Sequence, residues 1–169
     1  RNIEECIRVG MPFGVYTYSY ALNINNAINE ANLVIKTLAP YKDKVRFPVI
    51  IDMEDADGYK GRNGMPSNET LKAICTAEGE IFENAGYYAI VYANSSWFKN
   101  QLAGLTRFDK WVAHWPVSAG KQKGNATSPD GENANNCGIW QFTSEGKLNG
   151  YSGNLDMNYA YKDFVLNKN

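Results

Sequence analysis

The sequence predicts an α/β protein made of parallel strands with helices packed outside them. Three observations carry that prediction. Short apolar or aromatic runs alternate with segments whose apolar residues recur every three or four positions, the pattern of consecutive β-α-β units. The 169 residues suit a single domain with one hydrophobic core. With 44% hydrophobic and 21% charged residues, the chain has the composition of a packed globular protein.

The elements follow in order. Arg1 to Val9 places Ile3, Cys6 and Ile7 on one helix face, and Gly10 and Pro12 stop it. Phe13 to Tyr20 is a strand by its aromatic and β-branched content. Ile28, Ala31, Ile35 and Leu38 recur at helical spacing between Ile24 and Leu38, with Pro40 as terminator. Pro48 to Ile51 is a buried strand running straight into Asp52-Met53-Glu54-Asp55. Ser67 is placed to cap a helix that extends to about Ala85, and Gly86 ends it. Tyr87 to Ala93 is the next strand, followed by a short helix over Ser96 to Leu102 and a strand over Lys110 to Pro116. Val117 to Asn136, rich in Gly, Asn and Ser, reads as a long surface loop. Gly138 to Thr143 and Leu155 to Ala160 are the last two strands, with nothing helical between them. Six such strands fit an open sheet or most of a β/α barrel, because a complete eight-fold barrel usually needs ~250 residues.

Composition excludes several functions. Lys and Arg number 17 against 18 Asp and Glu, a net charge of −1, without the basic excess of a nucleic-acid binder. Near-neutrality also argues against holding an anionic wall or membrane by charge alone. No apolar run reaches the ~20 residues needed to span a bilayer. The single histidine, His114, leaves no pair for a zinc site, and a serine or cysteine hydrolase would have to be built around it alone. It reads as a hydrogen-bonding residue. Cys6, Cys75 and Cys137 are odd in number and far apart, so they form no disulfide framework, and Cys6 and Cys75 read as buried thiols within helices.

The chemistry concentrates at Asp52-Met53-Glu54. In β/α folds, functional groups gather at the C-terminal ends of parallel strands. Residues i and i+2 of a strand share a face, with Cα atoms roughly 6.5–7 Å apart. Asp52 and Glu54 would then project together into one cleft. Two carboxyl groups so placed suit glycoside hydrolysis, in which one donates a proton and the other supports the positive sugar centre. Acids after a strand can equally cap the next helix or sit in solvent, and Asp55 and Asp57 read as loop residues. Leu155-Asp156-Met157-Asn158 repeats the arrangement, with Asp156 directed to the same cleft or capping a turn. Aromatic residues make up 13% of the chain. Tyr16, Tyr18 and Tyr20 share a strand face, Tyr92 ends another strand, and Trp111, Trp115 and Trp140 lie on later ones; such rings pack in cores or against sugar faces.

Five segments, in this order, resemble the glycoside hydrolase family 25 lysozymes: Pro48 to Glu54, Val91 to Asn94, Lys110 to Trp115, Ile139 to Ser144 and Leu155 to Tyr159. The resemblance covers nearly the whole chain. It implies a modified, flattened TIM-like barrel of about five β/α units followed by β-strands. It also implies cleavage of the β-1,4 bond between N-acetylmuramic acid and N-acetylglucosamine in peptidoglycan, as in phage endolysins and bacterial autolysins. By resemblance Glu54 is the proton donor, Asp52 the assisting acid that orients the substrate N-acetyl group, and Asp156 an acid on the last strand. Tyr18, Tyr92, Trp111 and Gln141 fall at strand ends lining the groove. No cofactor or metal is implied, and the partner is bacterial peptidoglycan, reached at the cell wall or outside the cell. Neither nucleic acid nor membrane is a partner, and a C-terminal wall-binding module is compatible with the near-neutral charge.

The family opens with a strand carrying an Asp-x-Ser motif, a helix and a second strand, which no segment here matches. The expectation is a single catalytic domain over residues 1–169, N-terminally incomplete and lacking one cleft aspartate. A non-catalytic glycan-binding domain using the same aromatic cleft is the alternative, and a hydrolase of chitin-type polymers would share the acid spacing.

Overall fold

A computed structural model of the protein describes residues 1–115 and 137–165. The predicted loop over Val117 to Asn136 lies outside the described residues. Helix α1 (Asn2–Val9) leads into strand β1 (Phe13–Tyr18), then α2 (Ile24–Leu38) with a 3-10 turn at Ala39–Tyr41, and β2 (Val45–Asp52). A short α3 (Tyr59–Arg62) and the long α4 (Asn68–Asn84) precede β3 (Ala89–Asn94), α5 (Ser95–Lys99) and β4 (Asp109–Ala113). Two long strands, β5 (Cys137–Leu148) and β6 (Tyr151–Ala160), complete the order.

The six strands form one sheet in chain order, β1 through β5 parallel and β6 antiparallel to β5. The sheet is curled into a half-barrel, and residues of β1 and β6, such as Tyr16 and Asn158, line one trough on its concave side. Alternation along β2 divides the interior into two layers. Val49, Ile51 and Met53 join the main core, with Ala27, Ala31 and Leu38 of α2 and Leu71, Ile74 and Phe82 of α4. Ile50 faces the concave side with Ile90, Phe164, Tyr92 and Trp111. Asp52 shares that parity, so burial of the apolar residues on β2 directs its carboxyl into the concavity.

Local chemistry sets the ends of α1, α2 and α4 close to where the sequence placed them, whereas α5 stops at Lys99, short of the expected Leu102. Gly10 closes α1 at φ 70°, a left-handed conformation natural to glycine. Asn23 and Ser67 cap α2 and α4 by accepting from the Asn26 and Thr70 amides, and Asn94 caps α5 at the Trp97 amide. Cys75 is fully buried as expected, whereas Cys6 is only half-buried. None of the helices among the described residues is long and apolar enough to cross a membrane.

Two features add to the expectation. Asp55 and Asp57 occupy a loop, as expected, and they also build the N-terminus of α3. Asp55 accepts from the Lys60 amide at 2.7 Å and the Gly61 amide at 3.0 Å, and Asp57 accepts from the Tyr59 amide at 3.0 Å. The last two strands also extend toward each other into a continuous hairpin, turning through Asn149-Gly150 with Gly150 at φ 90°. The close approach of Gly146 to Met157 permits this extension, since a Cβ at Gly146 would lie 2.2 Å from the Met157 sulfur.

Candidate active site

Strand register brings the site together. Tyr18 pairs with Asp52, Asp52 with Tyr92, and Tyr92 with Trp111. Four consecutive strands therefore present one row of side chains, with neighbouring strands ~4.8 Å apart. Gln141 on β5 lies opposite Asn158 on β6, and Asp156 is two residues further along β6 on the same face.

The row borders an open cleft of about 430 Å³. All seven residues singled out for the site line it: Asp52, Glu54, Asp156, Tyr18, Tyr92, Trp111 and Gln141. Tyr16, Tyr20 and Ile50 complete the lining. The strand-face pattern of the three tyrosines was the signal for Tyr16 and Tyr20, although Tyr20 lies beyond the end of β1. His114 is engaged elsewhere, its Nδ1 3.3 Å from the Ser95 hydroxyl and its carbonyl accepting from the Trp140 indole at 2.8 Å.

Asp52 is 7% exposed, and its Oδ1 is buried without a hydrogen-bond partner. It stands with Glu54 in the same cleft, and a hydrogen bond between the two is among the causes that shift both acids. Burial, then the Glu54 charge and that hydrogen bond, pushes Asp52 up to about 7. Burial also raises Glu54, against the opposing effects of the Asp52 hydrogen bond and the Lys60 charge. The pair thus retains a proton toward neutrality, and hydrogen-bonded carboxyls hold such a proton in common. This is the environment a general acid needs near pH 7.

The walls are held by their own polar contacts. The Tyr92 hydroxyl donates to Gln141 Oε1 at 3.1 Å, and the Trp115 indole reaches the same oxygen at 3.3 Å. Tyr92 and Trp111 meet edge to face with ring centroids 5.1 Å apart, and the Trp111 indole donates to Asn158 Oδ1 at 2.8 Å. Tyr18 donates to Asp57 Oδ1 at 3.2 Å, and burial leads the causes that raise its phenol to about 12. The Tyr18 ring is therefore a neutral hydrogen-bonding wall near neutral pH.

An acid pair on the strand ends of a curled β/α sheet, walled by aromatic rings, defines the glycosidase class of β/α proteins. The sequence profile described as Glycosyl hydrolases family 25 matches residues 1–151, and the chain belongs to that family. No curated protein sequence matches the chain significantly. Among solved structures, it is similar to the modular autolysin LytC from Streptococcus pneumoniae in complex with a synthetic peptidoglycan ligand. There the TM-score is 0.76 and the identity 26%, covering 93% of this chain and 36% of that one. The Clostridium perfringens spore cortex lytic enzyme SleM superposes with TM-score 0.73 at 18% identity, over 94% of this chain and 52% of its own. The catalytic domain of endolysin ply40, from a Listeria monocytogenes bacteriophage, gives TM-score 0.74 at 23% identity, over 96% and 74%. The last two likenesses bear on the fold. The chain spans little more than a third of the length of LytC.

Proposed function

We propose that this chain is a catalytic domain of a peptidoglycan hydrolase that cleaves the β-1,4 bond between N-acetylmuramic acid and N-acetylglucosamine. The observation that carries the reading is the placement of Asp52 and Glu54 together in an aromatic cleft of a family 25 chain. The peptidoglycan ligand bound by LytC supports the substrate class. Such an enzyme works at the bacterial cell wall, with a wall-binding module elsewhere in the protein.

In this reading Glu54 gives its proton to the leaving glycosidic oxygen as the C1–O bond breaks. The substrate acetamido oxygen is the internal nucleophile at C1, with Asp52 accepting its N–H. Water later opens that intermediate, and Glu54 takes back a proton. Asp156 faces the same cleft from β6 and supports the developing positive charge. Tyr18, Tyr92, Trp111 and Gln141 hold the sugar rings by stacking and hydrogen bonds. Among the described residues no strand lies on the outer side of β1 or β6, which supports the finer fold proposal, in which a further strand-helix-strand unit seated between them completes a flattened barrel.

Glu54→Gln in the intact protein is expected to lower release of reducing sugars from purified cell walls by about 10²–10⁴-fold, the usual contribution of a general acid. A mutant with near-normal turnover removes Glu54 from the reaction. Binding of the wild-type protein to peptidoglycan with no change in glycan length would indicate a binding domain instead. The rate should fall as pH rises through about 7, because the pair then gives up the proton the leaving oxygen needs.

A further inference from the structure

Beneath the cleft lies a buried polar cluster that the proposed reaction does not use. Lys60, on α3, is only 1% exposed. Its ammonium donates to the Ser19 carbonyl and, at 2.9 Å, to the Glu54 carbonyl. It therefore ties the chain just past β1 to the chain just past β2, at the residue whose side chain enters the cleft. Behind it the Ser19 hydroxyl bridges two acids from different helices, with Glu30 Oε2 of α2 at 2.9 Å and Glu78 Oε1 of α4 at 3.0 Å. Glu78 is fully buried and its Oε2 has no partner.

We infer that Lys60 is a positioning residue, whose ammonium clamps the Glu54 backbone beside the cleft and supplies a positive charge to the acid pair from the protein interior. The inference rests on the reading of Asp52 and Glu54 as the reacting acids. A buried ammonium persists only where carboxylates and carbonyls compensate its lost hydration. Here they come from every side. Asp55 and Asp57 face it from its own loop, Asp52 and Glu54 from the end of β2, Glu30 from α2, and Glu78 and the Cys75 thiol from α4. The Tyr18 ring of β1 lies under the ammonium at 5.6 Å. Burial lowers the Lys60 pKa, and the surrounding carboxylates oppose that shift. Toward the cleft the Lys60 charge pulls both Asp52 and Glu54 downward, so it offsets part of the rise that burial imposes.

The test is the pH profile of wall hydrolysis by Lys60→Gln, Lys60→Arg and Glu30→Gln in the intact protein, with ¹³C carboxyl titration of Asp52 and Glu54 in the absence of substrate. Lys60→Gln keeps a donor but removes the charge. Its profile and both titrations should move to higher pH by about half a unit or more, with the optimal rate down about tenfold. Lys60→Arg restores the charge and should keep the wild-type pH position even where its rate is lower. Glu30→Gln leaves Lys60 in place and removes one compensating carboxylate, so it should move the titrations to lower pH. That variant keeps the inference exposed if Lys60→Gln does not fold. A folded Lys60→Gln that titrates like wild type, or a Glu30→Gln that is unmoved or shifts upward, overturns it. Loss of muramidase activity in the wild type would sink the reading of the reaction, while the substrate-free titrations would still judge the clamp.

Discussion

The parallel part of the sheet, β1 to β4, and the terminal hairpin, β5 and β6, serve the same cleft by different means. In the parallel part, β2 is buried from Pro48 to Asp52, and the acids begin where that apolar run stops. The outer end of the hairpin is largely exposed, with only partial burial at alternate residues of β6. Asp52 and Asp156 make the contrast concrete: two aspartates line one cleft, one of them 7% exposed beside a second acid and the other exposed on an antiparallel strand. Burial beside a like charge makes Asp52 a proton holder, as in other sites where environment divides the roles of two carboxyls. The difference teaches that the helix-covered layer buries its acid and so favours the protonated form, while the hairpin leaves its acid open to solvent.

That comparison can be broken at several points. The largest effect is expected in the layer behind the parallel strands, where Phe82 of α4 is fully buried. Phe82→Ala should cost about 3–5 kcal/mol in urea unfolding. Tyr159→Ala, at a hairpin ring that is 39% exposed, should cost well under half as much. Equal losses would show that the hairpin is as much core as the parallel layer. Next comes Asp156→Asn, expected to reduce kcat/KM on cell walls about tenfold, or ~1.4 kcal/mol, a smaller loss than at Glu54. A loss matching Glu54→Gln would move the chemistry onto the hairpin.

Gly150→Val forces a β-branched residue to φ 90° in the hairpin turn. It should destabilise the protein by about 1–2 kcal/mol, and amide exchange should quicken in β5 and β6 before β1 to β4. Uniform acceleration would mean that the two regions unfold as one unit. The smallest effect is a pH slope. Burial pushes Glu78 up to about 8. Between its unfolded value near 4.5 and that folded value, the native state binds the extra proton, so stability should fall as pH rises from about 4.5 to 8. Glu78→Gln removes the titrating group, and its Tm should decline less across that range. Parallel Tm curves would mean that Glu78 does not carry this dependence.

Much of this architecture is legible along the chain. The apolar run into Asp52-Met53-Glu54, the capping residues Asn23, Ser67 and Asn94, and the glycine stop at Gly10 act through neighbours a few residues away. Local sequence therefore specifies them. The extension of β5 and β6 was less visible, because Ser144, Glu145, Gly146 and Lys147 do not look like strand residues in isolation. The Asn149-Gly150 pair was its available signal, a strong hairpin dipeptide. Lys60 gave no signal at all, since Gly58-Tyr59-Lys60-Gly61-Arg62 has the composition of an exposed loop.

The amino-acid order alone determined the alternation of strands and helices, the position of the acid pair at a strand end and the parity that points both acids the same way. Those properties follow from backbone geometry with a period of two or 3.6 residues. Only the tertiary structure decided that Tyr18, Asp52, Tyr92 and Trp111 stand in one row, that Asp156 reaches the same cleft, and that Lys60 lies buried under Glu54. Each of these depends on register between strands or on desolvation by distant segments, and neither quantity is carried by any short stretch of sequence.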